Sequence, residues 1–226
     1  MTTSEIRDAA TVIVLRDLAR DPKVLMGQRG GGAAFMPNKF VFPGGALDPA
    51  DHRVALAQGM ADDCMARLRA RSDPKLAEAL ILAGIRETWE ETGLMLGEPT
   101  DFARDNAAQQ PENWQGFFAS GLAPSARGMT FVFRAITPPM RPRRFDARFF
   151  LVDAQYIAGD PDDFSAADSE LSHLQWIPLR DVRGFDLPFV TEVVLAEIEA
   201  NLKDAARPKF VPFFYHEGTK SNFLRL

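Results

Sequence analysis

Glu78-Ala79-Leu80-Ile81-Leu82-Ala83-Gly84-Ile85-Arg86-Glu87-Thr88-Trp89-Glu90-Glu91-Thr92-Gly93-Leu94 is the stretch on which the reading of this chain turns. Wound as a helix at about 100° per residue from Glu78, it places Glu87 near 180°, Glu90 near 120° and Glu91 near 220°. Ile81, Ile85, Trp89 and Leu82 gather on the opposite side, between roughly 300° and 40°. Three carboxylates therefore share one face and a core-forming stripe occupies the other. Ala79 and Ala83 lie beside the acids, where their small size is expected to leave room for a ligand. Gly93 is the expected helix stop.

Such a cluster is costly by itself. Like charges three and four residues apart repel by a few tenths of a kcal/mol per pair. The C-terminal half of a helix also disfavours anions. Arg86 offsets part of this, and a bound divalent cation would offset the rest. Ligands that are all carboxylate oxygens select a hard ion, Mg²⁺ or Mn²⁺, over zinc. For these residues alone, a solvated acidic face is the competing reading.

Outward from this helix, the β-rich run at 9–15 and the shorter run at 24–26 are expected strands, separated by a turn at 17–22. A third short strand at 39–42 ends at Pro43-Gly44-Gly45. Residues 54–71, alanine-rich and polar, are expected to be helical, with Asp51 as the cap. Residues 97–126 are expected to be a loop with one short helix. Further strands are expected at 129–136, 148–152 and 174–177, and a closing helix at 190–205. Strands of this number with two long helices make a mixed α/β domain.

Composition narrows the classes. The chain has 226 residues, 46% hydrophobic and 25% charged, which excludes a disordered chain, a collagen-like repeat and a coiled coil. With 26 basic and 31 acidic residues the net charge is 26 − 31 = −5. That balance argues against nucleic acid as the main partner, because binding to phosphate backbones rests on clustered Lys and Arg. Cys64 is the single cysteine, which excludes an internal disulfide framework and a CxxC zinc site. No run reaches the roughly 18 apolar residues of a membrane span. The opening residues lack the apolar core of a signal peptide. A soluble, cytoplasmic protein is expected, with no membrane partner.

Arg86-Glu87-Thr88-Trp89-Glu90-Glu91-Thr92-Gly93-Leu94, preceded by Glu78 and by Phe42-Pro43-Gly44-Gly45, resembles the Nudix box. That box reads Gly-x5-Glu-x7-Arg-Glu-U-x-Glu-Glu-x-Gly-U, with U a bulky apolar residue. Thr88 stands at the first U position. The box places five residues between its glycine and first glutamate, whereas 78 − 45 − 1 = 32 separate Gly45 from Glu78, an insertion of 27. Ser72 stands at the regular spacing, but Phe42-Pro43-Gly44-Gly45 matches the strand end and loop of the family better. An interruption at this point resembles the Nudix subgroup that includes a peroxisomal coenzyme A diphosphatase.

The resemblance implies a Nudix-type α/β/α sandwich with a mixed sheet. One domain would span 1–226, with a helical insertion at about 46–77 and a C-terminal helix and tail at about 189–226. It implies Mg²⁺- or Mn²⁺-dependent hydrolysis of the pyrophosphate in a nucleoside diphosphate linked to a group X. Coenzyme A, acyl-coenzyme A, ADP-ribose and NADH are the candidates. By matching positions, Glu87, Glu90 and Glu91 would hold metal, and Gly44 and Gly45 would line the substrate. Arg86 would orient the glutamates, and Glu78 would close the loop onto the helix. Glu87 or Glu91 is one candidate for the group that deprotonates water, and Glu170, from another loop, is the other. Arg29 and Arg148, the latter with Arg144, are candidate phosphate contacts. Phe35, Phe40 and Trp114 are candidates for stacking on a base. The partner would be a small nucleotide derivative, and a homodimer is left open. The alternative is a non-catalytic Nudix-like domain that senses a nucleotide.

Overall fold

The run Ile6–Arg16 forms β1, the strand around which the sheet is organised. Its residues from Val12 to Leu15 are buried one after another rather than alternately. That continuous burial is what a strand covered on both faces requires. Ala10, Val12 and Val14 pack into one core, and Ile13 and Leu15 into another. The structure is a computed structural model that describes residues 5–32, 36–202, 208–218 and 220–226.

β1 pairs antiparallel with β2 (Lys23–Arg29) and in parallel with β8 (Arg144–Asp153). Across the sheet, the order runs from the hairpin β11 (Lys220–Arg225) and β10 (Pro212–Glu217) through β7 (Thr130–Ile136), β8, β1 and β2 to β3 (Phe40–Val41). The short strand β4 (Gly44–Ala46) adds to β1, and β9 (Leu171–Pro178) adds to β2. The sheet is mixed, because β10 joins β7 in parallel while β7 and β8 are antiparallel.

Helices cover both faces. Helix α2 (Leu76–Thr92) packs into the core that contains Ala10, Val12 and Val14. It lies so close to the sheet that a Cβ on Gly84 would stand 3.0 Å from Val12 Cγ2. Gly93 ends it in the left-handed region at φ 77, its N–H bonded to the Trp89 carbonyl. Helix α5 (Phe189–Ala200) covers the other face through Val194, Leu195 and Ile198. The expected extension of this helix to residue 205 falls partly on residues 203–207, which lie outside the described residues. No helix among the described residues is long and apolar enough to cross a membrane.

Three segments depart from the sequence expectation. In the insertion, only α1 (Asp62–Arg69) is α-helical. Asp48 caps a 3-10 turn at Pro49–Arg53, and Asp51 answers it reciprocally in a capping box. Residues 54–61 are not helical, and part of their backbone is taken by a neighbour. Ala57 N–H donates to the Pro124 carbonyl, and Ala126 N–H donates to that of Gln58. The 97–126 segment is more ordered than expected. It forms a two-stranded ladder, β5 (Gly97–Pro99) with β6 (Leu122–Pro124), around α3 (Asp101–Asp105) and α4 (Glu112–Ala119). The C-terminal tail carries the β10–β11 hairpin, which extends the sheet.

Candidate active site

The acids of α2 lie on its last two turns, where the helix meets β4. The pairing of β4 with β1 sets Gly44 opposite Thr11 and Gly45 opposite Ala10. This brings the Pro43-Gly44-Gly45 backbone against the helix. Gly44 N–H donates to Glu91 Oε2 at 2.7 Å. A Cβ on Gly45 would stand 2.4 Å from the carboxyl carbon of Glu87. The glycine is needed because that carboxylate lies directly on the backbone. Both glycines that the sequence singled out are therefore at the acidic cluster.

Arg86 holds the other side. Its Nη1 donates to Glu87 Oε1 at 2.9 Å and to Glu90 Oε2 at 2.7 Å. Its Nε and Nη2 donate to the two carboxylate oxygens of Asp51, at 3.0 and 3.2 Å, and Nη2 also reaches the Ala46 carbonyl. Asp51 is fully buried and accepts in addition from Trp114 Nε1 at 3.1 Å. The expectation that Asp51 caps a helix at 54–71 misses this bond to Arg86. A buried guanidinium needs a counter-ion, but nothing in the local sequence marks a residue 35 positions away as that partner. Glu78, the expected closure, is exposed on the first turn of α2.

Glu170 precedes β9, and Arg29 ends β2. A register shift between Met26 and Gln28 sets Arg29 opposite Leu171. Arg29 Nη2 then donates to Glu170 Oε1 at 2.6 Å. The loop that carries Glu170 is tied to α2 by a bond from Asp168 N–H to the Glu90 carbonyl at 2.8 Å. The structure thus brings Arg29, Gly44, Gly45, Arg86, Glu87, Glu90, Glu91 and Glu170 together.

It does not bring Arg148 there. That residue is buried on β8, paired with Asp8 and with Asp146 at 3.3 Å, and donates to Ser72 Oγ at 2.8 Å. Asp146 is also gripped by Arg134 Nε and Nη2 at 2.8 and 2.6 Å. The expected phosphate contact is a structural ion cluster instead. Arg144 donates to the Thr137 carbonyl. Trp114 is buried behind Arg86, and Phe40 packs edge-on against Phe185 at 4.7 Å, so neither presents a stacking face at the cluster. Phe35 lies outside the described residues. Ala79 and Ala83 are buried, so they provide packing and not room for a ligand.

The electrostatics of the cluster are unbalanced. Burial, opposed by Arg86 and reinforced by Glu90 and Glu170, raises the Glu87 carboxyl to about 7. Burial and then the Glu87 charge hold Glu91 well above the usual carboxylate range, despite the bond from Gly44. Glu90 is also raised by burial. Arg86 is driven the other way. Burial opposes its charge, but the bond to Asp51 and the charges of Glu87 and Glu90 outweigh this and fix it as a cation. Glu91 Oε1 is buried without a hydrogen-bond partner. Among the described residues no three acidic, histidine or cysteine side chains form a ready-made cation cage, and the Arg86 guanidinium bridges Glu87 and Glu90. The donor set still fits a hard divalent ion. It is all oxygen, carries excess negative charge and includes an unsatisfied buried oxygen.

No family model matches the chain. It is 28% identical over 185 residues to the Caenorhabditis elegans protein named putative nudix hydrolase 7, covering 77% of this chain and 52% of that one. The chain thus spans about half the length of that relative. The crystal structure of a Nudix hydrolase from Alicyclobacillus acidocaldarius is 28% identical, with a TM-score of 0.60 over 85% of this chain and 90% of that one. The MutT protein of Methanosarcina mazei Go1 shares the fold at 14% identity, with a TM-score of 0.50 over 90% of this chain and 99% of that one. With the acids gathered against the Pro-Gly-Gly backbone on this mixed α/β fold, the chain is similar in sequence and in fold to Nudix hydrolases.

Proposed function

We propose that the protein hydrolyses the pyrophosphate bond of a nucleoside diphosphate linked to a second group, using Mg²⁺ or Mn²⁺. The observation that carries this reading is the buried carboxylate pair Glu87 and Glu91. Both sit above their ordinary pKa, and one oxygen, Glu91 Oε1, has no partner. A protein that keeps such a pair against a glycine backbone is organised for a cation that removes the imbalance.

Glu87, Glu90 and Glu91 would hold the metal, with the Gly44 or Gly45 carbonyl as a further candidate ligand. Bound there, the ion would neutralise charge on the pyrophosphate, polarise a phosphoryl oxygen and lower the pKa of a bound water. Arg86 orients Glu87 and Glu90 through one nitrogen, which leaves both carboxylates their second oxygen. Arg29, held at the same edge, is placed to take a phosphate oxygen. Glu170 is the base best suited to accept the proton of the attacking water. Only its Oε1 is bonded, to Arg29, and its side chain is half exposed, whereas Glu87 and Glu91 would be taken up in holding the ion. The acidic chain and its single cysteine support a small nucleotide derivative as substrate, rather than nucleic acid, in a reducing cytoplasm.

The test is a panel of coenzyme A, acyl-coenzyme A, ADP-ribose, NADH and diadenosine polyphosphates with Mg²⁺ or Mn²⁺, scored by product mass. Two products divided within the pyrophosphate, formed only with metal, are expected. Release of a nucleobase or an acyl group would overturn the assignment.

A further inference from the structure

We infer that Asp51, supplied by the insertion, is a positioning residue that sets how much of the Arg86 charge reaches the metal-binding glutamates. The inference rests on the hydrolase reading above and adds a residue that lies outside the Nudix box.

Arg86 has three nitrogens, and the structure divides them. Nε and Nη2 go to Asp51, and Nη1 alone touches Glu87 and Glu90. This division is enforced. Asp51 is fully buried, and both of its oxygens are engaged. Oδ1 accepts from Arg86 Nε and Trp114 Nε1, and Oδ2 accepts from Arg86 Nη2 and the Asp48 backbone N–H at 2.9 Å. The capping box at Pro49–Arg53 fixes the backbone, and the Trp114 indole fixes the carboxylate from α4. Arg86 therefore cannot swing to form a two-pronged pair with either glutamate, the geometry it would otherwise prefer.

The charge count gives the consequence. With Asp51 present, Arg86 is neutralised from behind, and the charges that Glu87, Glu90 and Glu91 carry once deprotonated would remain available to divalent ions. Without it, the guanidinium is free to close on Glu87 and Glu90. It would then compete with the metal and cancel one of those charges. The 27-residue interruption of the box thus contributes a part of the site and is more than a spacer.

The experiment uses the full chain and reads Mn²⁺ affinity by electron paramagnetic resonance alongside turnover. Asp51→Asn keeps the shape and removes the charge. It should weaken Mn²⁺ binding at least tenfold and lower kcat at least thirtyfold, with KM changed less than threefold. In an Arg86→Met background the same substitution should change Mn²⁺ affinity less than twofold, because its effect passes through Arg86. Trp114→Phe, which removes one donor to Asp51 but no charge, should lower Tm and leave Mn²⁺ affinity within twofold. If Asp51→Asn does not fold, Asp51→Glu carries the test. It keeps the charge and shifts it by one methylene, so it should retain Mn²⁺ affinity within threefold while kcat falls. Wild-type affinity and kcat in Asp51→Asn, or a loss of the same size in the Arg86→Met background, would overturn the inference. Failure of the wild-type protein to bind Mn²⁺ would instead overturn the hydrolase reading.

Discussion

Glu87→Gln should make the metal-free protein more stable at neutral pH. The carboxyl sits at about 7 in the folded chain against an ordinary value of 4.5, with desolvation as the main cause. Its side chain is 15% exposed, so solvent screens little of this. The folded value lies above the unfolded one. Between pH 4.5 and 7 the folded state therefore holds a proton that the unfolded chain has released. Stability carried by this group is complete below pH 4.5 and is lost as the pH rises through 7. At about 1.4 kcal/mol per unit, the loss amounts to roughly 3 kcal/mol. Glutamine keeps the acceptor for Arg86 Nη1 and has no charge to desolvate, so the variant escapes the loss. In EDTA, urea unfolding followed by tryptophan fluorescence should show variant minus wild type growing by up to about 3 kcal/mol from pH 4.5 to pH 8. With saturating Mn²⁺ the gap should close, because the ion stabilises only the wild type appreciably. A difference that stays flat across this range in EDTA, or falls with pH, would refute the claim that Glu87 is buried as an uncompensated acid.

Gly45→Ala would bring a methyl group to 2.4 Å from the Glu87 carboxyl carbon. The obstructed group is the end of a side chain, so the fold should survive with Tm within a few degrees while the carboxylate is pushed aside. Displacements of about 1 Å can lower turnover on the order of a hundredfold, which steady-state kinetics on the active nucleotide would show. Arg134→Met leaves Asp146 buried beside Arg148 without its two-pronged partner. Denaturant titration should show a loss of about 3–5 kcal/mol, with turnover per folded molecule unchanged.

The part of the site that lies on α2 is legible in the sequence because its signals are local. The apolar stripe of Ile81, Ile85 and Trp89, the acids opposite it and the Gly93 stop all follow from periodicity within one helix. The two glycines of β4 are legible through the resemblance of Phe42-Pro43-Gly44-Gly45 to the Nudix loop; a Cβ on Gly45 would meet the Glu87 carboxylate, and one on Gly44 the backbone of β1. What is not legible depends on partners far along the chain. Arg148 looks like any strand arginine until Asp8, 140 positions away, and Ser72 close over it. Asp51 looks like a helix cap until Arg86 and Trp114 converge on it. Residues 54–61 have helical composition, but backbone hydrogen bonds from Ala57 and to Gln58 tie them to residues 124–126 and they form no helix. Tertiary hydrogen bonds outweigh propensities of a few tenths of a kcal/mol per residue. The hairpin Pro212–Glu217 with Lys220–Arg225 escapes notice because its worth comes from the β7 edge it covers.

The most direct measurement is diffraction at the manganese absorption edge from crystals soaked in Mn²⁺ at pH 8. An anomalous peak within coordination distance of the carboxylates of Glu87, Glu90 and Glu91, with Glu91 Oε1 among its ligands, is the expected result. Crystals that diffract well and show no such peak, or show Arg86 still bridging Glu87 and Glu90 with the ion elsewhere, would contradict the account.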